Sequence, residues 1–376
     1  MKYCKSCVLP NTRPNINFNQ NGICDPCAST KEKISIDWKE RESQFILIVN
    51  EIKSKNKSYD CVIPVSGGKD STWQTIKALE YGLNPLCVTW KSPARNNLGQ
   101  ENLENLISLG VNHIDFSINT KIEQYFTLKA FRKLGSPVIP MHMALHAIPL
   151  QVAVNFDIPL IIWGENSAFE YGGDDHLKGT QLNHEWLKKF GVTNGTTSLD
   201  WHDKTLNEKS MKPYEWPSDE VQDKSGVKAI FLGSYFEWDP IETFKISSEH
   251  GFKGASRPKT GLYNFADIDD AFLITIHHYM KWYKFGFTRL WDNISIEIRN
   301  NRMSREDAIK LIRKKGNDYP KNEINAFCKY VDITKKEFYS ICNSFRNPKV
   351  WSKNKDDLWK IKNFLVDDWD WDENFF

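Results

Sequence analysis

The sequence predicts an α/β protein built on a parallel sheet with flanking helices, and three observations predict it. Short apolar runs alternate with helix-compatible stretches from Tyr59 onward. A glycine-rich turn follows the first run and opens a helix. The composition, 40% hydrophobic and 26% charged with 14 Trp and 22 Phe in 376 residues, is that of a folded chain with a sizeable core and room for two or three domains.

Cys61–Val65, Pro85–Trp90, His113–Ile118, Pro159–Trp163 and Ala229–Leu232 are short, apolar runs, the pattern of strands buried on both faces. The helix-compatible sequence between most of them supplies crossovers, hence a parallel sheet whose ligands bind beyond the strands' carboxyl ends. Ahead of them lie a Cys-, Asn- and Pro-rich segment, residues 1–30, and a charged amphipathic stretch, 31–58, expected to be a linker helix with Phe45, Ile46, Val49 and Ile52 on its apolar side. The main domain then spans 59–290. Polar sequence without period interrupts it at about 170–228 and is expected to be a lid-like excursion rather than core. Asp267–Phe285 has a helical apolar face. Residues 291–376 read as a helical C-terminal region, in which Ser304 caps a helix through Lys315 and Thr334 opens another. The tail, Val366–Phe376, mixes five acids with Trp and Phe and is expected to pack or fray.

Fifty basic against 48 acidic residues leave a net charge of +2, with no general electrostatic pull toward nucleic acid or membrane. Met1–Val8 carries two Lys and two Cys where a signal peptide needs an apolar run, and no stretch approaches the ~18 apolar residues of a membrane span. A cytoplasmic location is expected.

Val62–Val65 runs into Ser66-Gly67-Gly68-Lys69-Asp70-Ser71, followed by helix-compatible Thr72–Tyr81. Adjacent glycines bring backbone N–H groups against an anion, and the positive end of the following helix points at the same place. A Walker A loop would need glycine at Ile63 and Ser or Thr at Asp70, so it fails at two positions. The hexapeptide resembles the PP-loop of the ATP-pyrophosphatases, which cleave ATP between its α and β phosphates. The resemblance implies an adenine nucleotide α-hydrolase-like fold, with Ser66, Gly67, Gly68 and Ser71 cradling pyrophosphate, Lys69 offsetting its charge and Asp70 helping to hold Mg²⁺. It also implies adenine against Val88 to Trp90, and a contribution from Gly164, Glu165 and Asn166 after the fourth strand.

Cys4-Lys5-Ser6-Cys7 and Cys24-Asp25-Pro26-Cys27 form two CxxC pairs at a spacing that suits a tetrahedral structural zinc ribbon or knuckle. The same ligands could hold an iron–sulfur cluster; a redox role lacks the usual βαβ context. Four thiolates close a coordination sphere, so no catalytic role attaches to the metal. Cys61, Cys87, Cys328 and Cys342 lie in apolar or helical settings and read as core.

Cys-x-x-Cys-Val-Leu-Pro, Gly-Ile-Cys-Asp-Pro-Cys, the phosphate loop and Trp163-Gly164-Glu165-Asn166-Ser167 together resemble the N-acetyl sugar amidotransferases, of the WbpG and PseA type. Tyr263-Asn264-Phe265, the run from His277 to Phe287, and Ile296-Glu297-Ile298-Arg299 extend the resemblance over most of the chain, the polar region 170–228 excepted. It implies ATP-dependent conversion of an acetamido to an acetamidino group on a bacterial surface-polysaccharide or nonulosonic-acid sugar, free or nucleotide-linked. It further implies a HisH-like glutaminase and a HisF-like cyclase supplying ammonia. Arg257 and Lys259, and more weakly Lys281 and Arg289, are candidate ligands for the sugar's carboxylate or phosphates. His277 and His278 are candidates for proton transfer with ammonia, although adjacent helical residues face different ways. The rival readings are a tRNA thiolase, which would want a sulfur-handling Cys and a basic RNA surface, and a zinc-ribbon adaptor with a degenerate nucleotide site.

Overall fold

A computed structural model describes residues 1–166, 170, 179, 181–183, 186–187, 189, 192–316 and 319–371, the side chains of 31–34 excepted. Ser167, much of the 170–191 stretch and the tail beyond Trp371 lie outside them.

The sheet contains β1 (Cys61–Pro64), β2 (Pro85–Trp90), β3 (Asn112–Phe116), β4 (Leu160–Trp163) and β5 (Lys228–Phe231). All neighbours pair in parallel, in the order β3-β2-β1-β4-β5. The order reverses between β1 and β4, which opens a crevice at the carboxyl ends of those two strands.

Alternation along the strands assigns the two faces. Cys61, Ile63, Cys87, Leu160 and Ile162 point toward α2 (Trp38–Ser54), α3 (Lys69–Glu80) and α4 (Asn97–Ile107), meeting Phe45, Val49, Trp73 and Leu103. Val62, Leu86, Val88 and Ile161 point the other way, toward α5 (Thr120–Leu134) and α6 (Ile139–Asn155). Leading into the sheet are α1 (Asp25–Ile34) and then α2, two helices with a break before Trp38 where a single linker helix was expected; Asp37 caps the second. Ile46, assigned to the apolar side, is 41% exposed instead.

The segment 192–228 is not excluded from the core, as its polarity suggested. Trp201, Leu206 and Met211 are fully buried and Tyr214 nearly so, Trp201 and Tyr214 closing on Phe126 of α5. Beyond β5 come α7 (Pro240–Glu249), α8 (Leu273–Phe285), α9 (Arg289–Arg299), α10 (Arg305–Lys315), α11 (Lys321–Val331) and α12 (Lys335–Ser344). Ser304 and Thr334 cap α10 and α12 as their sequences predict. An unexpected antiparallel pair, β6 (Trp351–Lys353) and β7 (Trp359–Ile361), follows, and the tail folds back so that Trp369 packs against Trp282 and Phe364. Among the described residues no helix is long and apolar enough to cross a membrane.

The N-terminal unit docks on α9 and α10. Arg305 donates to the Cys7 carbonyl at 3.0 Å, and Arg13 and Lys281 both reach Asp292, at 2.9 and 2.8 Å. Burial pushes the Asp292 carboxyl up, but Lys281 and Arg13 outweigh it and hold the group far below the usual range. A carboxylate depressed by its partners stabilises the fold above its unfolded pKa and loses that contribution as pH falls. Removing one partner of a buried pair strands the others, at about 3–5 kcal/mol. Asp292→Ala is therefore expected to lower the melting temperature at pH 7, with the gap to the parent protein shrinking in acid.

Candidate functional site

Ser66–Ser71 leaves β1 and enters α3 at the crevice. Gly67 has φ +82, and a Cβ there would sit 2.6 Å from the Leu103 nitrogen and 2.8 Å from its Cα, so only glycine lets the loop lie on α4. Gly68 is the N-cap of α3 and supplies no side-chain cap. The N–H groups of that first turn therefore stay directed at whatever sits before the helix, which favours an anion. Ser66 Oγ accepts from the Gly68 N–H at 3.2 Å, and Ser71 Oγ donates to the Gly68 carbonyl at 3.0 Å, fixing the turn.

Lys69 and Asp70 face α7. The Lys69 ammonium donates to Asp70 at 2.5 Å and to Thr243 at 3.1 Å, over the rings of Trp238 and Phe265. It is 5% exposed, so its charge neutralises Asp70 rather than projecting into the glycine turn. Trp238 donates to Asp70 at 2.9 Å and Ser247 to the Lys69 carbonyl at 2.7 Å. Sequence reasoning missed Trp238, Thr243 and Ser247, which nothing local marks as partners of a loop more than 160 residues earlier.

Gly164, Glu165 and Asn166 follow β4 across the same crevice. Gly233 donates to the Gly164 carbonyl at 3.1 Å, and buried Asn166 accepts from the Trp186 indole at 3.3 Å. Burial raises the Glu165 carboxyl to about 7, helped by the charge of Asp70 and opposed by Lys69. A carboxyl whose ionisation is opposed by burial and by the nearby charge of Asp70, beside a phosphate-type loop, is suited to join that carboxylate around a hard divalent cation with oxygen ligands.

Val88 and Trp90 do not present their side chains to a ligand. Both are buried under α6; the Val88 carbonyl accepts from Val65, and the Trp90 indole donates to Glu123 at 2.7 Å. Alternation turns these two side chains into the core, so an adenine at the end of β2 would meet backbone there rather than the side chains of Val88 and Trp90.

Arg257, Lys259 and Arg289 meet in one cleft of about 560 Å³, with Lys315 and Lys321 on the opposite wall made by α10 and α11. It borders the phosphate loop through the turn 267–270. Lys259 donates to the Asp270 carbonyl, Arg289 lies 4.0 Å from Asp267, and Ser66 bonds Asp269. Lys281 does not join them: it is committed to Asp292, and its assignment to substrate is corrected to a structural ion pair.

Cys4, Cys7, Cys24 and Cys27 bring their sulfurs within 4.8 Å of one another. The Cys7 to Cys24 distance is 3.7 Å, close to the ~3.8 Å edge of a tetrahedron with ~2.3 Å metal–sulfur bonds. Backbone N–H groups of Cys7 and Cys24 approach Cys4 Sγ at 3.4 and 3.3 Å, the donors a thiolate needs. The donor set fits a tetrahedral thiophilic ion.

The family model described as LPS biosynthesis protein WbpG-like, C-terminal domain, matches residues 260–365. That range holds the Arg289 wall of the cleft, α8 and α9. Over 88 residues the chain is 33% identical to an uncharacterized protein of Methanocaldococcus jannaschii, covering 23% of this chain and 31% of that protein's length. Solved structures with some likeness include NMN synthetase from Francisella tularensis, at TM-score 0.29 and 16% identity, over 60% of this chain and all (100%) of that one. NH3-dependent NAD synthetase from Campylobacter jejuni stands at TM-score 0.29 and 15% identity, over 57% and 93%. A predicted subunit of tRNA methyltransferase from M. jannaschii stands at 0.30 and 14%, over 59% and 85%. Likeness at this level carries nothing further; the strand order and the loop at its switch point are what identify the crevice.

Proposed function

The chain carries a WbpG-like C-terminal domain beside a PP-loop sheet, and from that premise we propose that it is an ATP-dependent N-acetyl sugar amidotransferase, turning an acetamido group into an acetamidino group. One observation carries the reading: a phosphate-type turn at the β1/β4 switch point borders a basic cleft large enough for a sugar or sugar nucleotide. The amide oxygen attacks the α phosphorus of ATP, and pyrophosphate leaves against the N–H groups of the first turn of α3. Ammonia then displaces AMP from the activated carbon. The loop stabilises charge on the leaving group, and the cleft cations orient the acceptor, so positioning supplies much of the rate.

Asp70 and Glu165 would hold Mg²⁺, which when bound offsets phosphate charge. The four cysteines would hold structural Zn²⁺. A glutaminase and a cyclase-like partner would deliver ammonia, and the cytoplasm is where we place the reaction. The test is to incubate the purified chain with ATP, ammonium and acetamido sugars, free and linked to UDP or CMP. AMP and pyrophosphate are expected, with a product lighter by about one mass unit as oxygen gives way to NH. Accumulation of ADP would overturn the reading, and AMP formed only with tRNA and a sulfur source would replace it with thiolation.

A further inference from the structure

Four imidazoles converge beside the crevice, two from α6 and two from α8. His146 stacks on Trp163, the last residue of β4, with centroids 4.9 Å apart and planes at 25°. Because α6 runs into β4, its N-terminal end lies at the carboxyl edge of the sheet, and His142 stands one turn further out than His146. The His142 and His277 rings are 6.5 Å apart, and His277 and His278 are 5.6 Å apart. His278 is tied to Thr260 at 3.2 Å and lines the basic cleft. The histidines thus connect the cleft to the turn that carries Glu165.

Hydrogen bonding fixes their chemistry. His142 Nδ1 lies 2.9 Å from the Val138 carbonyl and His146 Nδ1 2.8 Å from the His142 carbonyl. A carbonyl only accepts, so each Nδ1 carries the proton and each Nε2 keeps its lone pair. Burial lowers the basicity of all four rings, and the charges of Lys281 and Lys284 add to that at His277, so the rings are neutral at pH 7. His142 and His277 are nevertheless only half-buried, and His277 has no hydrogen bond among the described residues. Two rings at this separation do not bond each other, but one small donor with bonds of ~3 Å to each reaches both.

We propose that His142 and His277 form the ammonia-binding wall of the crevice, and that His142 Nε2 takes the proton released when ammonia adds. This rests on the amidotransferase reading. Ammonia's lone pair forms the new C–N bond to the adenylated amide carbon, giving an ammonium-bearing tetrahedral adduct. His142 Nε2 removes one proton from that nitrogen. The adduct then expels AMP by cleaving the C–O bond and leaves an amidinium. An ammonium ion, lacking a lone pair, cannot attack, and neutral imidazoles receive ammonia without the repulsion that cationic ones would bring to the cation forming there.

The test separates the half-reactions, using the acetamido sugar that yields AMP in the screen above. ATP–pyrophosphate isotope exchange reports adenylation, and ¹⁵N-ammonium incorporation reports amination. His142→Gln is expected to lower amination 100- to 10,000-fold at saturating ammonium, the usual scale for a lost general base, with far less effect on exchange. His277→Gln, at a half-buried ring without a hydrogen bond among the described residues, is expected to raise the ammonium concentration needed for half-maximal rate. It serves if the first variant misfolds. Imidazole added to His142→Ala is expected to restore part of the amination. Amination within threefold of the parent in both Gln variants would overturn the proposal and leave the amidotransferase reading standing; so would exchange and amination falling together in folded protein. No exchange in the parent protein with any acetamido sugar would sink the amidotransferase reading itself.

Discussion

Gly67→Ala is expected to abolish ATP–pyrophosphate exchange, a loss of at least 100-fold, in a protein that still folds. Two penalties combine. The left-handed conformation at φ +82 costs an L-residue about 1–2 kcal/mol. The larger one is steric: the new Cβ lies 2.6 Å from backbone nitrogen of Leu103, and backbone in a packed helix gives way only by moving α4 or the loop. Loop N–H groups displaced by about 1 Å miss the phosphates they must meet, and misplacement on that scale costs about 100-fold in rate. Gly110→Ala is the control. It has a similarly positive φ, +99, yet its Cβ would meet nothing within 4 Å, so it is expected to lose only the conformational cost and keep exchange activity. Full exchange in Gly67→Ala would remove the phosphate loop from the reaction.

The second large effect is expected at the cysteines. Replacing Cys24 with serine, or stripping the metal with a strong chelator, is expected to unfold the N-terminal unit; structural zinc contributes ~10–16 kcal/mol of apparent folding free energy in isolated fingers. The damage should spread, because the unit is held by Arg305 on the Cys7 carbonyl and by Arg13 on Asp292, and because α1 lines a small hollow with Glu170, Trp238 and Arg299 beside Asp70. Elemental analysis of the parent protein is expected to find one zinc per chain, and limited proteolysis should cut the metal-free protein within residues 1–30. Iron with visible absorbance would identify a cluster instead, and an unchanged proteolysis pattern in Cys24→Ser would mean that the unit folds without metal.

Legibility followed the reach of the interactions. The phosphate turn is a local device of strand, two glycines and helix, and it could be read from ten consecutive residues. Lys281 could not. Its charge looked available until Asp292, on the next helix, claimed it, and Arg13, from the N-terminal unit, shares that same carboxylate. His142 and His146 escaped notice because α6 is apolar nearly all round, which hides the side facing the crevice. Trp201 was missed for the opposite reason, a buried indole set in a polar run without period.

By itself the sequence determined the strands, their parallel pairing, the phosphate turn and the four-cysteine cluster, because short apolar runs, glycine pairs and CxxC spacing act through neighbours in the chain. Tertiary structure alone decided which charges remain available to a ligand. The burial of a cation or an imidazole, and the partner it meets there, depend on how separate helices and strands pack against one another, from the next helix for Lys281 to the far N-terminal unit for Arg13, and no local pattern encodes that meeting.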